Sequence, residues 1–264
     1  MTKSTAENRF KNYACLLFLA LALLQPISYA HTSQDLATIQ RMAEQGDAAA
    51  QLNLGLSYEK GEGVAQDFKQ AVIWYRKAAE QGNAIAQTFL GLSYAEGEGV
   101  AQDAKQAVAW YRKAAEQGNA VAQLNLGGMY SKGQGVPQDA KQAVAWYRKA
   151  AEQGNAVAQY NLGLSYAKGE GADQNDKQAV AWYRKAAEQG DAIAQYNLGG
   201  MYSIGAGVPQ DISQAYVWSS VAVANGNLDA TKLRDLMAEK LSRKQLAAAQ
   251  KQAGLYFEKS QPSR

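Results

Sequence analysis

The sequence predicts an all-α solenoid of about five helical hairpins, each 36 residues long. Two observations carry this. The string AKQAVAWYRKAAEQGNAVAQ stands at 104–123 and returns unchanged at 140–159, 36 residues later. Segments beginning at Ala50, Ala86, Ala122, Ala158 and Ala194 read A-Q-x-x-L-G-x-x-Y and close on A-A-E-Q-G or a decayed form of it. A fixed period of this length marks a stacked array, in which each unit completes its core against its neighbours. The repeats take up most of the 264 residues, so one continuous array is expected.

The first 30 residues read as an export signal. Lys3, Arg9 and Lys11 supply a positive start, and Tyr13 to Leu24 form an apolar stretch rich in leucine. Ser28-Tyr29-Ala30 offers small residues where a signal peptidase reads, so cleavage is expected after Ala30. The apolar stretch is short of the ~20 residues a spanning helix needs. The lone cysteine, Cys15, would leave with the peptide, and the mature chain would then rely on packing alone. Residues 31–49 form a partial repeat, in which IQRMAEQG from Ile39 to Gly46 matches the tail of a second helix.

The copy from Asn83 to Gly118 shows how one period folds. Asn83 caps a first helix, helix A, over Ala84 to about Glu96. Gly97-Glu98-Gly99-Val100 cannot continue that helix. Asp103 caps helix B, which runs from Ala104 to about Gln117 and stops at Gly118, and Gln106 is placed to complete a capping box. Asp67/Gln70, Asp139/Gln142 and Asp211/Gln214 repeat the pair, while Asn175 takes the cap in the fourth copy. Ala86, Leu90 and Tyr94 make the apolar stripe of helix A; Ala107, Trp110, Tyr111, Ala114 and Ala115 make that of helix B. Gly91, in the row Gly55, Gly91, Gly127, Gly163 and Gly199, is expected to admit a close backbone contact. Lys105, Arg112, Lys113 and Glu116 read as a solvated outer face.

These residues resemble the Sel-one-like repeat family, a branch of the tetratricopeptide-type α-solenoids. The first copy reads AQLNLGLSYEKGEGVAQDFKQAVIWYRKAAEQG at 50–82, and four more follow in register through 227. The resemblance implies a right-handed α-α superhelix. It also implies a binding scaffold that holds protein partners on the concave surface lined by helix A. The fifth copy drifts, with Tyr216-Val217-Trp218-Ser219-Ser220 in place of the usual V-A-W-Y-R run. Residues 228–258 then read as two capping helices, about 229–240 and 243–258, the second opened by the capping box Ser242-Arg243-Lys244-Gln245. Residues 259–264 are a tail.

The candidate contact residues are the helix A positions outside the core stripe. One row is Asn53, Phe89, Asn125, Asn161 and Asn197; a carboxamide donates and accepts, so such a ladder suits a peptide backbone. The same asparagines have a second reading, as ties between repeats. The adjoining row is Leu52, Thr88, Leu124, Tyr160 and Tyr196, whose leucines and tyrosines are apolar anchors. A third row is Glu59, Ala95, Ser131, Ala167 and Ser203, with Lys60, Lys132 and Lys168 beside it.

Composition argues against other classes. Removing Lys3, Arg9, Lys11 and Glu7 from the 27 basic and 24 acidic side chains leaves 24 and 23, so no single-sign field points to nucleic acid. The sole histidine, His31, leaves no Ser-His-Asp or Cys-His set, no histidine-based metal site and no implied cofactor. Ser57-x-x-Lys60 and Ser165-x-x-Lys168 match a penicillin-reactive pattern, which makes weak β-lactam hydrolysis or penicillin binding the alternative function. The motif lacks S-D-N and K-T-G partners, and other copies lose the serine, the lysine or both, so no catalytic residue is assigned. With the export signal, the resemblance implies a non-enzymatic, periplasmic or secreted scaffold for a protein or peptide, acting in envelope regulation or contact with a host or other partner. It would meet a membrane only through an envelope protein partner.

Overall fold

A computed structural model of the chain describes residues 33–260. The signal segment 1–30, His31 and the tail beyond Ser260 lie outside the described residues. All regular structure among the described residues is helical. The helices are α1 (Ser33–Glu44), α2 (Ala48–Lys60), α3 (Phe68–Glu80), α4 (Ala84–Glu96), α5 (Ala104–Glu116) and α6 (Ala120–Lys132). There follow α7 (Ala140–Glu152), α8 (Ala156–Lys168), α9 (Asp176–Glu188), α10 (Ala192–Ile204) and α11 (Ile212–Ala224). A 3-10 turn (Leu228–Ala230), α12 (Thr231–Glu239) and α13 (Arg243–Ser260) complete the order. The even-numbered helices α2 to α10 are helix A of successive repeats, and the odd-numbered α3 to α11 are helix B. The chain is thus an all-α solenoid-type array of consecutive hairpins, closed by a C-terminal helix pair.

Two compact units divide the chain, one up to Gln138 and one from Asp139 onward. The first packs α1, the hairpins α2/α3 and α4/α5, and α6. Its core joins Leu52, Tyr75, Ala78, Ala86, Leu90 and Trp110. The second packs α7, α8/α9, α10/α11 and the terminal pair. Its cores centre on Tyr183, Leu198 and Trp218, and on Val217, Val221 and Met237.

The caps fix the helix ends. The Asn83 side chain accepts from the Ala86 N–H at 2.9 Å, and the Asp103 carboxylate accepts from the N–H groups of Lys105 and Gln106. The expected capping box at Asp103 is only half made. The Asp103 N–H donates to the Tyr94 carbonyl at 2.9 Å, so it does not need the Gln106 side chain. Asp67, Asn175 and Asp211 do the same toward Tyr58, Tyr166 and Tyr202. At Ser242 the box is complete: its N–H donates to Gln245 Oε1, and the Gln245 N–H donates back to Ser242 Oγ.

Two glycines show why the period is strict. Gly97 ends α4 in the left-handed region (φ 77°), with its N–H on the Ser93 carbonyl. Gly99 (φ 71°) lies on the start of the preceding helix B; a Cβ there would stand 2.0 Å from the Phe68 carbonyl oxygen. The second loop glycine therefore seats each hairpin on the one before. Helical Gly91 differs from the expected backbone contact, because its nearest neighbour is the ring of Tyr111, 2.7 Å from a built Cβ. Gly55 and Gly163 meet Tyr75 and Tyr183 in the same way, though carbonyls of Ala71 and Ala179 also lie at 3.3 Å.

Helix B's charged row is not simply solvated. Arg76, Arg112, Arg148 and Arg184 each donate to a tyrosine hydroxyl of the next helix A, Tyr94, Tyr130, Tyr166 and Tyr202, at 2.6–2.7 Å. Lys77, Lys113, Lys149 and Lys185 lie 3.7–4.1 Å over the tryptophan ring one turn earlier on their own helix.

The terminal pair continues the period. Asn227 stands 36 residues after the cap Asp191, and Ala230 is fully buried like Ala194. The Asn227 side chain does not cap; it donates to the Ala192 carbonyl at 3.2 Å. The end of the array is thus a degenerate sixth hairpin in which α12 stands as helix A. Of the expected tail, Lys259 and Ser260 belong to α13.

Candidate functional site: the helix A face

Helix A carries two polar rows with separate tasks. Gln51, Gln87, Gln123, Gln159 and Gln195 are buried. Each donates from Nε2 to the carbonyl of an alanine near the end of the preceding helix B, at 2.9–3.1 Å. The carboxamide oxygens of Gln51, Gln87, Gln159 and Gln195 accept from Gln81, Gln117, Gln189 and Asn225 at 2.7–3.0 Å. Buried amides with both ends satisfied tie repeat to repeat at low cost.

The asparagine row is left outside this network. Among the described residues the side chains of Asn53, Asn125 and Asn161 have no hydrogen bond, and they are half-buried. Asn197 donates to its own helix at Ile193, which leaves its oxygen unengaged. The reading of these asparagines as repeat ties is therefore corrected: the glutamines two residues earlier perform that task. Phe89 interrupts the row and stacks on Tyr75 with ring centroids 5.2 Å apart.

The anchor row divides. Leu52 and Leu124 are only 7% and 6% exposed, and Leu52 belongs to the core of the first unit. They are corrected from contact anchors to core residues. Tyr160 and Tyr196 in the second unit are half-buried and keep part of each ring at the surface. Tyr160 stacks on Tyr183 at 6.0 Å. Burial, and then the nearby Asp191 carboxylate, push its hydroxyl pKa up. Burial also raises Asp191, against the pull of the N–H groups it caps.

In the third row only Glu59 carries charge. The Tyr75 hydroxyl donates to its carboxylate. Burial holds the Glu59 pKa above the ordinary carboxylate value, with that hydrogen bond opposing. The Ser-x-x-Lys pairs do not converge. The Ser165 hydroxyl donates to the Asn161 carbonyl, while Lys168 pairs with Glu170 at 3.9 Å and Lys60 with Glu62 at 3.8 Å. No group of three metal-ligating side chains occurs among the described residues. None of the described helices is long and apolar enough to cross a membrane.

Hairpins bound by buried glutamines make a repeat scaffold, and its helix A positions also carry unengaged carboxamides and, at Tyr160 and Tyr196, part-exposed tyrosines. The Sel1 repeat profile matches residues 48–83, 84–119, 120–155, 156–191 and 192–227. The chain belongs to the Sel1 repeat family, whose members are generally protein-interaction scaffolds. No curated protein matches the chain at a significant level. Among solved structures it is similar to c5321, a protective antigen of uropathogenic Escherichia coli described as displaying an SLR fold. That likeness has 37% identity and a TM-score of 0.79 over 98% of this chain, which spans 56% of the E. coli chain. It is also similar to a Sel1 repeat protein of Oxalobacter formigenes, with 36% identity and a TM-score of 0.73 over 84% of this chain and 93% of that one.

Proposed function

We propose that this chain is an exported scaffold that binds a protein or peptide segment on its helix A faces. The reading is carried by the separation of the two polar rows. The glutamines take over the ties between repeats, which frees Asn53, Asn125 and Asn161 to pair with a partner's backbone. In the second unit Tyr160 and Tyr196 adjoin Asn161 and Asn197 in the chain and add apolar contact. Export rests on the positive, leucine-rich start of the sequence. The likeness to a protective antigen agrees with a role in the envelope or in contact with a host.

The test is crosslinking capture from the native envelope with wild type and with Asn161→Ala/Tyr196→Ala. Loss of the captured partner is expected, with stability changed by about 0.5 kcal/mol or less, as for surface substitutions. Undiminished capture would refute the face assignment. Mass spectrometry of the mature protein should find His31 first; an intact N-terminus would refute the cleavage.

A further inference from the structure

The last helix ends at the start of α10. The Ser260 carbonyl oxygen of α13 lies 3.3 Å from the position a Cβ would take on Gly190, the residue before the α10 cap Asp191. No earlier copy has such a neighbour, because a Cβ on Gly46, Gly82, Gly118 or Gly154 would meet nothing within 4 Å. Residues 261–264, Gln-Pro-Ser-Arg, therefore start beside Asp191. Four residues reach at most about 14 Å, and Pro262 disfavours helical backbone at Gln261. The segment is long enough to run along the first turns of α10, which rise about 1.5 Å per residue.

Two side chains at this point depart from the interior copies. Asp191 takes the place of the asparagine that caps helix A at 83, 119 and 155. Its carboxylate accepts from the Ala194 N–H at 2.7 Å, as the asparagine oxygens accept at 2.9 Å, so the cap does not call for a charge. Tyr160 of α8 takes the place of Leu52, Thr88 and Leu124. Its half-buried ring stands close enough to Asp191 for the carboxylate to act on its hydroxyl.

Charge names the occupant. From 186 to 231 the chain carries Glu188, Asp191, Asp211 and Asp229 and no lysine, arginine or histidine. None of these carboxylates forms an ion pair among the described residues. Lys185, just before this stretch, is held over the Trp182 ring at 4.0 Å. Residues 261–264 carry one charge, Arg264, and no acid, while Glu258 and Lys259 before them offset each other. We infer that residues 261–264 fold back along the start of α10, with the Arg264 guanidinium on the Asp191 carboxylate beside Tyr160. There the segment covers Tyr160 in cis, and a partner that takes Tyr160 must displace it. The displacement rests on the scaffold reading; the fold-back does not.

The test is nitrogen-15 relaxation and amide shifts of the exported chain, beside Asp191→Asn, Arg264→Gln and a chain stopped after Ser260. Asp191→Asn restores the cap of three earlier copies, so the fold is kept. In wild type the order parameter at Ser263 should exceed about 0.6, and it should fall below that in both substitutions. Removal of residues 261–264 should move the Ile193 and Ala194 amide signals. The peptide Lys-Ser-Gln-Pro-Ser-Arg should bind the shortened chain about tenfold tighter than wild type, because the segment in cis holds the site about nine-tenths of the time. A Ser263 no more ordered in wild type than in Arg264→Gln, unmoved α10 signals, or equal peptide binding overturns the proposal. So does Ser263 order that rises with protein concentration, which marks the segment of a second copy. If the fold-back signals hold while Asn161→Ala/Tyr196→Ala leaves partner capture undiminished, the fold-back stands and the face assignment fails. If capture is lost but Ser263 is free in wild type, the fold-back alone falls.

Discussion

The hairpins 84–119 and 192–227 share one plan and differ where they meet their neighbours. In the first, Tyr111 lies on Gly91, Arg112 reaches the Tyr130 hydroxyl and Lys113 covers Trp110. In the second, Ser219, Ser220 and Val221 stand at those three positions. Ser219 is fully buried and bonds to its own helix, and Leu233 of α12 moves onto Gly199 where a tyrosine ring would lie. Trp218 packs tilted against Tyr256 of α13 with ring centroids 4.6 Å apart, and Val221 is buried. The lesson concerns what repetition encodes. Side chains that recur from copy to copy grip a following copy of the same shape. Where the follower is a different pair of helices, polar clamps give way to apolar contacts made only once.

Substitutions can break this comparison. The largest effect is expected from Ser219→Tyr, which installs the interior residue where Leu233 already fills the space. It should cost about 2–3 kcal/mol, as overpacking does, and Leu233→Ala should recover part of that; urea unfolding measures both. Gln159→Ala should cost about 1–2 kcal/mol, because its two hydrogen bonds between repeats are lost while the Ala151 carbonyl keeps only the Gly154 N–H and the Gln189 amide only the Lys185 carbonyl. Asn161→Ala, two residues away, should cost no more than about 0.5 kcal/mol. Equal losses at 159 and 161 would erase the distinction between the two polar rows.

Gly91→Ala against Gly199→Ala compares the two seats directly. The first drives a methyl into a ring and should lose about 1–2 kcal/mol after the gain in helix propensity; the second meets nothing nearer than 3.2 Å and should lose under about 1 kcal/mol. The smallest effect is in acid. The raised pKa of Glu59 favours its protonated form in the fold, so its contribution is present below the unfolded value near 4.5 and is lost as pH rises through the higher folded value. Glu59→Gln keeps an acceptor for Tyr75 and should flatten that decline between pH 4.5 and 7, read from urea midpoints.

Much of the fold was legible because caps are local chemistry. The ends of α4 at Ala84 and Glu96 follow from Asn83 and Gly97, which act within one turn of themselves. The half-made box at Asp103 was not, because its competitor is the Tyr94 carbonyl nine residues earlier, brought close only by the loop. The task of the glutamines was also missed, although a signal existed. All five copies keep glutamine one residue after a buried alanine, whereas the asparagine row tolerates Phe89. A buried polar residue that does not vary among copies is bound in each of them. The burial of Leu52 and Leu124 was misjudged because the row that holds them also holds part-exposed Tyr160 and Tyr196. The length of a tyrosine carries its tip out of a space that a leucine fills.

The glutamine ties, such as Gln117 to Gln87 and Gln189 to Gln159, always join residues 30 positions apart. Unequal crossing-over at the gene that adds or deletes one whole period would therefore rebuild each such bond from the same codons. Natural variants differing by one hairpin should retain a cooperative melt, whereas a frame slip by a few residues should be purged. Selection can thus trade reach for economy in this chain without first inventing a new interface.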